Sequence, residues 1–301
     1  MTEIAVVGSL NWDVRLTVDR IPHSGETVSA TGALRSPGGK GANQAVAAAR
    51  LGRSVAMVGA VGDDDGGRHI LVRLADEGVD VRDVRTLAQH GDERVATGTA
   101  FILWEQPEST IVIEAGANAA VDEEFVGAHA AAVRQARAVL CQCETPVGAL
   151  EAVTREATGL TVLNPAPAMD VPREIRDRFD LLVPNRFELA VLARSQDVPG
   201  TLVEVVAMVH DLEFPGDVVV TLGSDGCVVV PRGGGDPVHV PARRVTAVDT
   251  TAAGDSFCAG LADGLLSGLD LGAAAEWATR VAAVTTTRHG AIDSLPRRAE
   301  I

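Results

Sequence analysis

Short runs of β-branched residues alternate with alanine-rich stretches along most of the chain. The run at 4–7, IAVV, is continuously apolar, which is typical of a strand covered on both faces. Similar runs lie at 55–61, 139–143, 161–163, 181–183 and 218–222, and helical stretches separate most of them. This alternation predicts an α/β domain with a mainly parallel sheet, in which ligands bind at the carboxyl ends of the strands.

The clearest helix signals lie at 41–50 and 67–77. Gly52 and Gly78 follow these stretches and are natural C-terminal stops. Thr145 is predicted to cap a further helix that carries Pro146 at its first position.

Two stretches, 14–37 and 95–113, alternate polar and apolar positions without a helical period. Alternation with a period of two predicts strands with two different faces. The two stretches can pair into a small accessory sheet, or each can add edge strands to the main sheet.

Composition and charge exclude several classes of protein. Hydrophobic residues make up 46% and charged residues 22%, a globular balance that excludes intrinsic disorder. No apolar run approaches the ~18 residues of a membrane span, and the first residues lack the basic region of a secretory signal. The net charge of −15 repels phosphate backbones, so nucleic acid is not an expected partner. Four cysteines without a CxxC pair indicate a reducing, cytoplasmic location.

The segment 247–257, AVDTTAAGDSF, places small residues before a helix. At Ala252, Ala253 and Gly254 an anion can approach the free N–H groups of the helix N-terminus. Asp255 lies in the first turn. There a carboxylate either compensates the helix dipole or acts as the general base for a substrate hydroxyl.

The segment 36–45, SPGGKGANQA, contains Lys40, the only lysine of the chain. Its glycines let the backbone approach a ligand, and Asn43 can donate and accept hydrogen bonds toward a polyhydroxylated molecule. The spacing is not that of a Walker A loop, and an ordinary glycine-rich turn is the alternative.

The segment 8–13, GSLNWD, follows the first strand. Asn11 and Asp13 are two residues apart and therefore point to the same side of an extended chain. Both suit hydrogen bonding to sugar hydroxyls, while an Asx turn is the alternative.

Two shorter signals follow later strands. Asn185 and Glu188 are three residues apart, which places them on one helix face or makes them a capping box. Residues 221–226, TLGSDG, are typical of either a nucleotide-binding turn or a hairpin turn.

Taken in order, these segments resemble the ribokinase family of sugar kinases, also called the PfkB family. Glu144-Thr145-Pro146 and NPAPA at 164–168 contribute to the resemblance, which extends from residue 4 to residue 294. GGKGANQAVAAAR is most similar to the ribokinase branch. The resemblance implies a single domain over 1–301 with a ribokinase-like three-layer αβα sandwich and a mainly parallel sheet. The stretches 14–37 and 95–113 would form a small β-sheet lid, through which such kinases often form homodimers.

The resemblance also implies roles for individual residues around the sugar. Asp255 would take the proton from the primary hydroxyl of the sugar, and residues 252–254 would surround the transferred phosphate. Besides Asp255, the residues that would hold the sugar are Asn11, Asp13, Gly39, Lys40, Asn43 and Glu144.

ATP, Mg²⁺ and K⁺ are the implied cofactors. ATP would lie against Asn185, Thr221, Gly223, Ser224, Gly226, Gly254 and Thr279. Glu188 would organise Mg²⁺ through water. The monovalent cation would take oxygen ligands from Asp249, Thr251, Thr285, Arg288, Gly290 and Ser294.

The implied activity is the transfer of a phosphoryl group from ATP to the primary hydroxyl of D-ribose, which gives ribose 5-phosphate. A kinase for another furanose, a deoxyribose or a nucleoside is the second hypothesis. A catalytically silent sugar-binding regulator is a third, which the presence of Asp255 and its small neighbours disfavours. A Rossmann dehydrogenase is excluded because no GxGxxG follows the first strand.

Two departures from the family pattern are visible in the sequence. Trp12 stands between Asn11 and Asp13 where a smaller residue is usual, and strand alternation points it away from them, toward packing in the core or lid. Arg186 and Phe187 interrupt a stretch that is usually acidic and polar.

Overall fold

The computed structural model describes residues 2–90, 93–105 and 108–301. Its strands are β1 (Ile4–Val7), β2 (Asn11–Thr17), β3 (Gly32–Gly38), β4 (Val55–Gly62), β5 (Asp80–Leu87), β6 (Gln89–His90), β7 (Glu93–Arg94), β8 (Gly98–Glu105), β9 (Glu108–Glu114), β10 (Ala138–Gln142), β11 (Leu160–Asn164), β12 (Leu181–Leu182), β13 (Asp217–Thr221), β14 (Cys227–Val230) and β15 (Val238–Val240). Its α-helices are α1 (Lys40–Arg50), α2 (Asp65–Asp76), α3 (Glu123–Ala128), α4 (Ala130–Gln135), α5 (Val147–Glu156), α6 (Arg173–Arg176), α7 (Arg186–Leu192), α8 (Leu202–Asp211), α9 (Ala253–Leu266) and α10 (Leu271–Thr285).

The main sheet has nine strands in the order β15-β14-β13-β12-β11-β10-β1-β4-β5. The seven strands from β13 to β5 in this order are parallel, and the hairpin strands β14 and β15 are antiparallel at one edge. The prediction of a mainly parallel sheet is therefore confirmed. Strand β1 lies inside the sheet between β10 and β4, which explains its continuous apolar run.

Helices cover both faces of the main sheet. Ile4 and Val6 of β1 belong to a core formed with α1, α2, α9 and α10. Ala5 and Val7 point the other way, into a second core formed with the helices α3 to α8. Alternate residues of one buried strand thus enter two separate apolar layers, which confirms the predicted three-layer αβα sandwich.

A separate four-stranded sheet, here called the lid sheet, has the order β3-β2-β8-β9. It contains residues 11–17, 32–38, 98–105 and 108–114, which confirms the predicted accessory sheet and rules out edge strands of the main sheet. The first pair of strands begins three residues before 14 and ends one residue after 37, whereas the second pair begins three residues after 95 and ends one residue after 113. Residues 106 and 107 of the second stretch lie outside the described residues.

Register gives the lid sheet two distinct faces. Asp13 lies beside Ala100 and two residues before Arg15, and all three share one face. Val14, Phe101 and Val112 form a cross-strand row on the opposite face, called here the outer face. Val28, which lies inside the predicted stretch 14–37, is in the connection between β2 and β3 and belongs to neither strand.

One local expectation was wrong, and one strand was not predicted. Helix α5 begins at Val147, and Pro146 occupies its N-cap position with no side-chain cap. Because Thr145 precedes that position, its buried hydroxyl caps nothing and has no hydrogen-bond partner among the described residues. Strand β5 was not predicted at all, since its half-exposed edge position gives it no apolar run.

Membrane-spanning helices were searched for among the described residues. None of these helices combines the length and the apolar character needed to cross a bilayer.

Candidate active site

The residues predicted to bind the sugar converge where β1 and β10 end and α1 and α9 begin. Asp255, only 6% exposed, lies in the first turn of α9. Its two carboxylate oxygens accept hydrogen bonds from Asn43 Nδ2 at 2.9 Å and from Gln44 Nε2 at 3.2 Å. Two motifs more than two hundred residues apart in the chain are thereby joined at one carboxylate.

Gln44 was missing from the predicted site. It is fully buried in α1, where Gln142 Nε2 donates to its Oε1 at 2.7 Å. Its Nε2 also lies 3.4 Å from Asn164 Oδ1, so an amide row crosses the ends of β10 and β11 and orients Asp255. A glutamine amid the buried alanines and Val46 of α1 was the sequence signal for this role.

Three glycines allow α1 to start directly beside the exit of β1. An ideal Cβ on Gly41 would lie 2.7 Å from backbone atoms of Ser9, and Gly39 has a φ of +93°. A Cβ on Gly38 would lie 2.1 Å from Asp13 Oδ2. The Gly38 position therefore leaves room for the Asp13 carboxylate, and no side chain fits there without moving it.

Glu144 follows β10 and gathers several neighbours. One of its oxygens accepts a hydrogen bond from Ser9 Oγ, and the same oxygen lies 3.4 Å from both Asn11 Nδ2 and the Lys40 backbone N. Asn118 Nδ2 in turn donates to Asn11 Oδ1 at 2.8 Å and fixes the orientation of that amide. Neither Ser9 nor Asn118 was predicted, because nothing in their local sequence points to this distant contact.

One lysine sits among several buried carboxyl groups. Burial lowers the pKa of Lys40, but the negative charges of Asp255, Glu144 and Glu188 outweigh this effect, so its pKa lies above the ordinary value. Burial raises the pKa of each of those three carboxyl groups, and Lys40 opposes the shift. For Asp13, burial and the charges of Glu144 and Asp255 raise the pKa to about 7.

The turn before α9 is shaped for an anion. Ala252 has a φ of 60°, a left-handed conformation that costs an L-residue roughly 1–2 kcal/mol. Gly254 faces open space, since no atom lies within 4 Å of an ideal Cβ built on it. Ala253 donates its N–H to Thr250 O at 3.2 Å, so the N–H groups available to a ligand begin at Gly254.

Most of the residues predicted to bind ATP gather around the end of β13, while Gly254 lies in the first turn of α9. Asn185 and Glu188 form a capping box at the start of α7, as the capping interpretation predicted. An isolated β-bridge places Asn185 beside Thr221. Glu188 is buried, and its oxygens accept hydrogen bonds from the N and Nδ2 atoms of Asn185, both at 2.8 Å.

The loop 222–226 connects β13 to the antiparallel strand β14, so the hairpin interpretation is confirmed. Gly223 and Gly226 have φ values of 62° and 92°, which favour glycine at both positions, and Ser224 between them is exposed. Thr279 of α10 lies beside the loop's end, 3.8 Å from the sulfur of Cys227.

The two unusual residues of α7 have separate roles. Arg186 bonds the backbone carbonyls of Pro199 and Gly200 and forms a 3.1 Å ion pair with Asp225 in the loop 222–226. It therefore joins the start of α7 to that loop, while Phe187 is exposed.

Trp12 points away from the predicted sugar site. Its ring lies 5.3 Å from that of His69 in α2, and an ideal Cβ on Gly66 would approach it to 3.0 Å. The predicted packing role for Trp12 is confirmed.

The predicted cation ligands lie on two segments, 249–251 and 285–294, which hydrogen bonds hold together. Val248 N donates to Thr286 O at 2.8 Å, and Gly290 N donates to Asp249 Oδ2 at 3.0 Å. The hydroxyls of Thr285 and Ser294 donate to other protein oxygens, and the Arg288 guanidinium pairs with Glu300. These three residues would therefore offer their backbone carbonyls. Oxygen donors of this kind suit a hard monovalent cation.

Comparison with known proteins decides the family. The model of the pfkB family carbohydrate kinases matches residues 1–298. This chain belongs to that family. Among PfkB relatives, the ribokinase of Schizosaccharomyces pombe is 37% identical over 314 aligned residues, which cover 100% of this chain and 97% of that protein.

Solved structures of PfkB kinases agree with this assignment. The ribokinase of Thermotoga maritima matches with a TM-score of 0.89 and 32% identity, covering 100% of this chain and 98% of that one. The ribokinase of Arabidopsis thaliana, complexed with ribose and ATP, matches with a TM-score of 0.88 and 31% identity, covering 99% and 97%. As a PfkB carbohydrate kinase, the protein is a phosphotransferase that acts on an alcohol group.

Proposed function

We propose that this protein transfers the terminal phosphoryl group of ATP to the primary hydroxyl of D-ribose. The observation that carries the proposal is the buried Asp255 carboxylate. The amides of Asn43 and Gln44 hold it beside the open turn at the start of α9. A base and an anion-binding turn on one helix end are what phosphoryl transfer to a hydroxyl requires. The ribokinase relatives supply the identity of the sugar.

The proposed mechanism depends mainly on positioning. Asp255 accepts the proton of the primary hydroxyl while that oxygen forms its bond to the γ-phosphorus, and the bond from phosphorus to the ADP oxygen breaks. Burial raises the pKa of Asp255, against Lys40 and the two amides, which makes it a stronger base than an exposed aspartate. The N–H groups from Gly254 onward stabilise charge on the transferred phosphoryl group.

The sugar would lie between Asp13 and Glu144 on one side and Asn43 on the other. Asn43 Oδ1 is buried and has no hydrogen-bond partner among the described residues, so it can accept a hydroxyl of the sugar. ATP would lie along Asn185 and the loop 222–226. Mg²⁺ neutralises the phosphates when bound, and the buried Glu188 carboxylate would hold it through water, as its oxygen chemistry permits.

A coupled assay of ADP formation tests the proposal. Purified protein is offered D-ribose, deoxyribose, other furanoses and nucleosides, each with ATP and Mg²⁺. The highest kcat/KM is expected for D-ribose. A preference for another acceptor would support the second hypothesis instead, and sugar binding without turnover would support the silent regulator.

Sugar affinity should depend on pH because the pKa of Asp13 lies at about 7. Asp13 accepts two hydroxyls best as a carboxylate, so affinity should increase as the pH rises from about 6 to about 8. Below the raised pKa, each pH unit should weaken binding by about tenfold. Calorimetric titration with ribose at constant ionic strength measures this dependence. Asp13→Asn should flatten the profile, and a flat profile for the wild-type protein would contradict the shift.

We also propose that K⁺ binds at Asp249 and the backbone carbonyls near Gly290. The support is the joining of these segments beside the turn at 252–254. Replacing Na⁺ by K⁺ at constant ionic strength should raise kcat, because an ordered turn presents its N–H groups better. Asp249→Asn should remove the response. Equal rates in both salts would show that the turn is ordered without the ion.

We propose that two copies form a homodimer through the outer face of the lid sheet, because apolar side chains are exposed there. Phe101 is 47% and Val112 is 63% exposed there, and a second copy would cover them. Light scattering at micromolar concentration should give a dimer for the wild-type protein and a monomer for Phe101→Glu. Val203→Glu, at an exposed position on α8, is the matched control and should remain dimeric. A monomeric wild-type protein would refute the pairing.

Two further expectations remain proposals. All four cysteines are free and buried, which supports a reducing, cytoplasmic location. The organisation of residues 1–301 as one kinase domain is likewise proposed, because the lid sheet continues directly from β1 and into α1.

A further inference from the structure

Arg15 extends from the face of the lid sheet that carries Asp13 toward the loop 247–251. It lies two residues after Asp13 on β2, so both side chains leave the strand on the same face, roughly 6–7 Å apart. Both line a cavity of about 280 Å³ between the lid sheet and the loop 247–251. The core side of this cavity includes Asp249 and Gly290.

The guanidinium of Arg15 lies between the lid sheet and the loop 247–251. Its carbon lies 4.3 Å from the centroid of the Trp104 ring on β8, and its Nη1 lies 4.0 Å from Asp249 Oδ2. The centroid of the Trp104 ring lies 6.4 Å from that of His289, which follows α10. Arg15 Nε is buried and has no hydrogen-bond partner among the described residues. Stacking on Trp104 therefore orients the Arg15 guanidinium, while its Nε donor still lacks an acceptor among the described residues.

Asp249 connects this contact to the turn that receives the phosphoryl group. Its carboxylate accepts N–H groups from Thr251 at 2.9 Å and Gly290 at 3.0 Å. Three residues later the chain enters the left-handed Ala252 and the first turn of α9. Asp249 is therefore hydrogen-bonded within the short segment that leads into the N–H groups at 254 and beyond.

We propose that Arg15 is a positioning residue that couples closure of the lid sheet over the sugar to the loop 247–251, and through it to the turn before α9. Sugar bound by Asp13 draws β2 toward the core. The same movement turns the 4.0 Å approach of Arg15 to Asp249 into a direct hydrogen-bonded ion pair. The turn then reaches its working geometry only when sugar is present. This inference rests on the proposed ribose kinase function.

The coupling predicts a loss in kcat rather than in sugar affinity. Arg15→Met keeps the apolar stem and removes the charge, and kcat should fall by about 10- to 100-fold. The dissociation constant for ribose, measured by calorimetry, should change by less than about threefold. Arg15→Lys restores the charge without the planar stacking and should recover part of kcat. Arg82→Met, at an exposed position on the edge strand β5 of the main sheet, is the matched control and should retain wild-type kinetics.

A double-mutant cycle separates coupling from a merely structural role. If Arg15 acts through Asp249, Arg15→Met combined with Asp249→Asn should lose no more kcat than the more damaging single change. Additive losses, or an Arg15→Met enzyme with wild-type kcat, would overturn the inference. Wild-type protein without ribose kinase activity would instead refute the proposed function.

Binding can also report the coupling without turnover. In a Trp12→Phe, Trp277→Phe background, ribose should change the emission of Trp104, because lid closure alters its stacking on Arg15. Adding Arg15→Met should remove most of this change while calorimetry still detects the sugar. An unchanged emission response in that variant would contradict the proposal.

Discussion

Asp255→Asn should abolish turnover and leave sugar binding nearly intact. The amide cannot accept the proton of the primary hydroxyl, and general-base contributions of about 10²- to 10⁴-fold are typical. Asn43 and Gln44 each donate to one of the two carboxylate oxygens, and an asparagine keeps only one of these acceptors, so a modest loss of sugar affinity is expected beside the loss of turnover. The measurement is kcat under saturating ribose and ATP, together with calorimetry for ribose.

The control for this change is Asp270→Asn. Asp270 is an exposed N-cap that accepts the N–H of Ala273 at 2.8 Å, and asparagine caps a helix equally well. Asp270→Asn makes the same chemical substitution at the start of a different helix, and kcat should stay at the wild-type value. If Asp255→Asn also retained a near wild-type kcat, Asp255 would serve only the helix dipole.

Asp13→Ala should weaken ribose binding far more than ATP binding. Hydrogen bonds from hydroxyls to a carboxylate contribute about 1.5–3 kcal/mol each, so losing two should lower ribose affinity by about 10²-fold or more. The predicted ATP residues Asn185 and Thr221 meet at the end of β13 and belong to no strand of the lid sheet, so ATP affinity should change little. Separate titrations of each substrate measure the difference.

Asp19→Ala provides the comparison on the same part of the chain. Asp19 is exposed just beyond β2 and should tolerate the change without effect on either substrate. Equal losses of ribose and ATP affinity in Asp13→Ala would mean that Asp13 supports the fold of the lid sheet rather than the sugar.

Elements with strong local signals were predictable from the sequence. The apolar run of β1, the glycine stop after α1 and the small residues before α9 each depend on a few neighbouring residues. Even the orientation of Trp12 followed from simple alternation along β2. The sequence was ambiguous where the same residues are typical of two structures. The loop 222–226 was compatible with a nucleotide-binding turn or a hairpin turn, and it is a hairpin turn.

Long-range contacts were not predictable. Gln44 meets Asp255 across 211 residues, and Asn118 meets Asn11 across 107. Such pairings depend on strand order and register, which local pattern does not encode. Arg15 was missed for the same reason, because its partners Trp104 and Asp249 come from distant segments. The prediction for Thr145 failed differently: the helix starts one residue later than expected, with Pro146 at the N-cap position.

The single lysine has a practical consequence for handling this protein. Lys40 is the only lysine of the chain, so a protease that cuts only after lysine has one target bond, between Lys40 and Gly41. That bond lies at the start of α1, where Gly41 is buried against Ser9. Cleavage there requires the helix start to open, so the rate of this single cut reports local unfolding at the sugar site.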